Sequence, residues 1–203
     1  FSMRQLPLEI SPPAAPRLDN FVAGANAEAL AAVRALAEGR RPEAIVYLWG
    51  ERGSGRSDLL RAATRPNPGL VAPDDVETLD PTAQQALFNA INAARDGQTA
   101  VIAAGNAPPA GLGLREDLRT RLAWGLVYQL RAPSDADKAA YLRGEAARRG
   151  LRLPEEVLAY LLSHQPRDLA SLSALIDALD RYSLANKRPL TLPLVREALQ
   201  KSL

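Results

Sequence analysis

Apolar residues in the first two thirds of the chain fall into short runs: Ile45-Val46-Tyr47-Leu48-Trp49, Leu70-Val71-Ala72, residues 99–104, which open on Thr99, and residues 124–130 with Gly125 and Gln129 among them. Runs of this length predict strands covered on both faces. Between them apolar positions recur every three or four residues. Residues 27–39 carry Leu30, Val33 and Leu36 on one face, and residues 83–94 carry Ala83, Ala86, Leu87, Ala90, Ile91 and Ala94. The second of these follows Asp80-Pro81, a cap with proline in the first turn, and stops at Gly97. A short charged segment over 115–122 predicts one more helix. Strands alternating with helices predict an α/β domain with a parallel sheet. From Pro133 the strand pattern ends. Ser134 opens a helix that reaches about residue 149, Pro154 opens a second, residues 168–185 form a third, and Thr191-Leu192-Pro193 starts a fourth. The expected organisation is therefore an α/β domain over 18–132 and an all-helical lid over 133–203. Residues 3–17 contain four prolines and predict an extended tail.

Composition narrows the chemistry. The 203 residues are 47% hydrophobic and 24% charged, which predicts globular domains with room for a core. A net charge of +2 gives no bulk nucleic-acid footprint. Cysteine is absent, which excludes disulfides, thiolate catalysis and zinc fingers. The single histidine, His164, supplies no metal cluster or triad and reads as a surface or satisfied helix residue. No run approaches the ~20 apolar residues of a membrane span, and no signal-peptide core is visible, so a cytoplasmic protein with no membrane partner is expected. Phe1-Ser2 ahead of Met3 read as a remnant of cloning.

One turn carries chemistry. Gly50-Glu51-Arg52-Gly53-Ser54-Gly55-Arg56-Ser57 follows the first strand run and leads into a helix-compatible segment. It meets G-x-x-x-x-G-K-[S/T] everywhere except at Arg56, which stands where lysine is usual. Gly50, Gly53, Ser54 and Gly55 would curl the backbone so that N–H groups and a helix N-terminus face phosphate. Ser57 would be a magnesium ligand. Guanidinium is a planar fork rather than a compact point charge, which places hydrolytic competence in doubt. A glycine-rich turn that holds nothing is the structural alternative.

Further parts of a nucleotide site follow in order. Asp74 and Asp75 come after the run 70–72, suited to holding magnesium through water and polarising an attacking water. Asn106 ends the run 99–104, where it could place that water. Arg167 opens a lid helix, where a cation could sense the nucleotide. Singly each has an ordinary reading, since acidic pairs are usually solvated turns; in this order they point to a P-loop ATPase-type domain.

These residues resemble the AAA+ superfamily, and within it the branch of the DnaA replication initiator. Leu18-Asp19-Asn20-Phe21-Val22, with Gly24 and Asn26, resembles the opening of the initiator's ATPase domain. Residues 115–125 resemble the box VII signature, and Arg121 falls on its arginine finger. Pro166-Arg167-Asp168-Leu169 resembles sensor 2, and residues 105–109 resemble sensor 1. The arginine at position 56, the expected lack of a DNA-binding domain after the lid, and the tail Gln5-Leu6-Pro7-Leu8-Glu9-Ile10 are similar to the Hda family of initiator regulators. In that tail Gln5, Leu6, Leu8 and Ile10 match a sliding-clamp-binding motif. Packing on the chain's own domain as an edge strand is the alternative for the same alternating residues.

The resemblance implies a negative regulator of replication initiation. Its tail would bind the β sliding clamp on DNA, and Arg121 would reach the ATP held by the DnaA initiator, promoting its hydrolysis in trans. Such a protein is not an efficient ATPase itself. It binds ADP or ATP with magnesium at Ser57 and Asp74, contacts DNA only indirectly at the nucleoid, and can form homo-oligomers. Against the initiator, only 16 residues separate Ser57 from Asp74. The sheet should therefore be one strand short, with four core strands, and the nucleotide pocket incomplete. A salt bridge from Arg121 to Glu116 or Asp117 is the structural alternative to the finger. A nucleotide-free clamp adaptor and an autonomous ATPase such as a helicase loader are the competing functions.

Overall fold

The computed structural model describes residues 15–164 and 168–200, which form two compact units, 15–133 and 134–200. Gln5, Leu6, Leu8, Ile10 and Arg167 lie outside the described residues.

The first unit is a parallel sheet between helical layers. Strands β1 (Ile45–Trp49), β2 (Val101–Gly105) and β3 (Leu126–Gln129) are ordered β2-β1-β3, with Ile45 opposite Val101 and Val46 opposite Leu126. The pleat sorts β1 by face. Val46 and Leu48 join the core under α1 (Ala27–Ala37) and α2 (Arg56–Thr64), while Ile45 and Tyr47 join the core under α3 (Pro81–Arg95) and α4 (Glu116–Leu122). Both faces being covered explains why β1 and β2 read as continuous apolar runs. β3 is an edge strand, and Leu126 and Val127 remain exposed.

The expected fourth strand over 70–72 is reduced to an isolated parallel bridge from Val71 to Val101. The Val71 N–H donates to Ala100, Ile102 donates back to Val71, and Ala104 donates to the Pro73 carbonyl. The rung missing from this ladder is the one a residue 73 N–H would supply, and proline has none. The sheet thus has three strands among the described residues rather than four. The sequence pattern also overran β3, whose ladder starts at Leu126 rather than Trp124.

The second unit has helices and connecting turns among its described residues: α5 (Asp135–Arg148), α6 (Glu155–His164), α7 (Leu169–Asn186) and α8 (Leu192–Gln200). Their apolar faces meet in one core around Leu142, Leu161, Ile176, Leu179, Leu194 and Val195. Ser134 and Asp137 form a reciprocal capping box at α5, and Asp168 caps α7 by accepting the Ser171 N–H at 2.7 Å. Glu145 is buried and paired with Arg148 and Arg149, the latter also meeting Asp177 at 2.8 Å. His164 is exposed and stacks on Tyr160 with 4.4 Å between ring centroids.

Candidate functional site

The loop after β1 has the backbone that phosphate binding requires. Gly53 and Gly55 sit at φ +86° and +91°, a left-handed region that side chains rarely adopt, and Gly55 caps α2. A side chain at Gly50 would collide with the Leu130 carbonyl, so the loop lies tight against the exit of β3. Phe21 packs on the other side, its ring 3.1 Å from where a Gly55 side chain would begin. The opening segment is fastened by buried Asn26, which donates to the Arg131 carbonyl at 2.8 Å and accepts its N–H at 2.9 Å. Arg34 adds an ion pair to Asp19 at 2.7 Å.

Two polar groups in this loop are buried without a partner inside the protein. Ser54 is 2% exposed and its Oγ makes no hydrogen bond, and Arg56 Nη1 is equally buried and unsatisfied. Buried donors without partners are costly and rare. Here they border a glycine loop and a helix N-terminus, so the donor set fits an anion of the phosphate class. Arg56 Nη2 lies 3.7 Å from Asp75 Oδ1, with the arginine side chain 11% exposed.

The structure separates the two aspartates. Asp75 holds a left-handed backbone, φ +43°, and faces Arg56. Asp74 Oδ1 instead accepts the N–H of Asp75 at 2.9 Å and shares with Ser57 an open depression of about 300 Å³, lined also by Leu60, Arg61, Thr64 and Ala72. With so short a connection between α2 and Val71, this depression on the flank of α2 stays open. Among the described residues no three ligating side chains converge on a metal position. A magnesium ion beside Ser57 and Asp74 would draw its remaining ligands from phosphate and water, as this ion commonly does.

Asn106 follows the tip of β2, and its backbone N–H donates to Glu77 Oε2 at 3.2 Å. Sequence reasoning missed Glu77, although it stands two residues beyond the acidic pair. Tyr47 was equally unforeseen as a member, its signal being one phenol in an apolar strand. Its hydroxyl donates to the Ala107 carbonyl at 2.7 Å. Burial pushes the phenol's pKa well up, the Glu77 charge adds to this, and Arg56 opposes it. Tyr47 stays protonated and serves as a donor that anchors the turn after Asn106.

Arg121 belongs to a different cluster, on α3 and α4. Its Nε donates to Asn92 Oδ1 at 3.0 Å and its Nη1 to the Asp117 carbonyl at 3.2 Å. Its guanidinium lies 3.9 Å from the Phe88 ring centroid and 4.9 Å from that of Trp124. Trp124 is 40% exposed and also receives Arg95 at 4.6 Å. The salt bridge to Glu116 or Asp117 that could have explained Arg121 does not form; Asp117 pairs with Arg115 at 3.2 Å. Phe88 and Asn92, one helical turn apart on α3, are the residues the sequence did not connect with Arg121.

Residues 135–199 match the family described as Hda, lid domain. Across the chain, the fold is that of domain III of the Thermotoga maritima replication initiation protein DnaA, at 20% identity and TM-score 0.67 over 94% of this chain and 98% of that one. AMPPCP-bound DnaA from Aquifex aeolicus matches at 18% identity and TM-score 0.64, over 81% of this chain and 64% of that one. A Thermotoga maritima RuvB variant matches at 14% identity and TM-score 0.63, over 93% and 74%. The fold is therefore that of DnaA domain III, and the match of residues 135–199 to the Hda lid family agrees with the resemblance read from the motifs.

Proposed function

We propose that this DnaA-related AAA+ protein with an Hda-family lid is a negative regulator of replication initiation. It acts on the ATP of another AAA+ protein, the DnaA initiator. The observation that carries the reading is the seat of Arg121. Among the described residues this guanidinium has no carboxylate partner, yet it is braced by an amide, a carbonyl and two aromatic rings. A cation so held keeps its charge available to a negative group on another molecule. Neutralising charge that develops on a transferring phosphoryl group is the chemistry it suits, and a trans arginine of this kind is worth ~10³–10⁵ in rate.

The chain's own loop serves to hold a nucleotide rather than to turn it over. The DnaA structures bound to AMPPCP support nucleotide binding in this fold. Gly50, Gly53, Ser54, Gly55 and Arg56 would hold the phosphates of ADP or ATP, Ser57 and Asp74 would bear on any magnesium that accompanies the nucleotide without being required for ADP to bind, and Asn106 and Arg167 would face the nucleotide. When bound, the nucleotide supplies negative charge and bulk that satisfy Ser54 and Arg56. The tail residues Gln5, Leu6, Leu8 and Ile10 dock the protein on the sliding clamp, which brings it to initiator on DNA.

The test is hydrolysis of initiator-bound ATP with clamp loaded on DNA. Addition of this protein should accelerate hydrolysis, and replacing Gln5 and Leu6 by alanine should abolish clamp capture without lowering thermal stability. Robust ATP turnover by the isolated protein would establish an autonomous ATPase instead. Clamp capture without any stimulation would leave an adaptor.

A further inference from the structure

The residue that departs from the usual phosphate loop is also the one with two separate tasks in the structure. Arg56 Nη2 faces Asp75, while Nη1 is buried and unsatisfied, as is the Oγ of Ser54 two residues earlier in the same loop. An ammonium is a single point of charge. A guanidinium is a rigid fork whose two ends can serve a carboxylate and a phosphate oxygen together. We propose that Arg56 performs the charge neutralisation usually left to a divalent cation, so that a nucleoside diphosphate binds this loop without metal. This rests on the reading of the loop as a nucleotide site.

The carboxylates around the loop support it. Each already faces a group of the chain: Asp75 the Arg56 guanidinium at 3.7 Å, while Asp74 accepts the Asp75 N–H and Glu77 accepts the Asn106 N–H. Asp75 is held in its position by a left-handed backbone, a conformation of order 1 kcal/mol less favourable for a side-chain-bearing residue than the right-handed one. Strain of this kind persists where the surroundings require one placement, and here that placement sets a carboxylate against Arg56. A diphosphate arriving beside three carboxylates needs positive charge, and Arg56 is the buried cation present. The flank of α2 that could have helped enclose a hydrated ion is open.

Titration calorimetry of ADP into the nucleotide-stripped full chain, in excess magnesium and in EDTA, tests the proposal. The two dissociation constants should agree within about threefold, less than 1 kcal/mol apart. A loss of tenfold or more in EDTA would overturn the proposal and leave the nucleotide reading standing. No binding in either buffer would overturn both. Arg56→Lys, verified as folded by its melting curve, then assigns the role. It should lose tenfold or more between magnesium and EDTA, or lose ADP in both buffers; equal affinities in the two would take the role away from Arg56.

Discussion

Two arginines in the α/β unit show how one side chain is directed to opposite ends. Arg56 is sunk at the start of α2, with one terminal nitrogen toward Asp75 and the other buried without a partner. Arg121 lies at the end of α4 against Phe88 and Trp124, tied to Asn92 and a backbone carbonyl. The first is committed to its own site through a carboxylate. The second is oriented entirely by uncharged groups, so its charge is not neutralised within the described residues. On the proposed function, the bracing groups, more than the cation, separate an arginine that serves its own site from one offered to a neighbour.

The largest effect is expected from Arg121→Ala. Stimulation of initiator ATP hydrolysis should fall by ~10³-fold or more, while ADP affinity and clamp capture stay unchanged. Survival of the stimulation would mean that the outward cation is elsewhere. The inward side is broken by Asn26→Ala, which strips both hydrogen bonds from Arg131 beneath the opening segment. Leaving those backbone groups unpaired should cost about 2–3 kcal/mol in urea unfolding. A change under about 0.5 kcal/mol would show that the segment is not held by this clamp.

Phe88→Leu sharpens the role of the brace. It keeps an apolar side chain on α3 and removes the ring under the guanidinium. A cation–π contact of about 1 kcal/mol corresponds to roughly fivefold in stimulation, with ADP binding intact. If hydrolysis is unchanged, the amide of Asn92 alone orients Arg121. The smallest effect is expected in the lid. There Glu155 accepts two hydrogen bonds from Arg143 at 2.8 and 2.7 Å, which lowers its pKa. A depressed carboxylate contributes stability above its unfolded pKa of about 4.3 and loses it as pH falls through the folded value. Urea midpoints should therefore drop slightly more steeply below about pH 4 in the wild type than in Glu155→Gln; parallel curves would remove this pair from the lid's stability.

Much of this molecule was readable before any contact was known. The apolar runs at 45–49 and 99–104 announced buried strands, Asp80-Pro81 and Ser134 announced helix starts, and the glycines within 50–57 announced a tight turn into a helix. Those signals are local, because a pleat repeats every two residues, a helix every 3.6, and a cap acts within one turn. Pro73 was noted as unusual, yet its consequence, one missing rung beside β2, needed the neighbouring strand.

The layers, the helical lid and the glycine turn after β1 follow from local pattern in the sequence. Long-range contacts alone place Asp75 rather than Asp74 against Arg56, set Glu77 at the turn of Asn106, and gather Phe88, Asn92 and Trp124 around Arg121. The reason is physical. These partners are set by sheet register and helix packing, which bring together groups that no local periodicity links, and a positive φ at one residue chose between two adjacent carboxylates that are chemically identical.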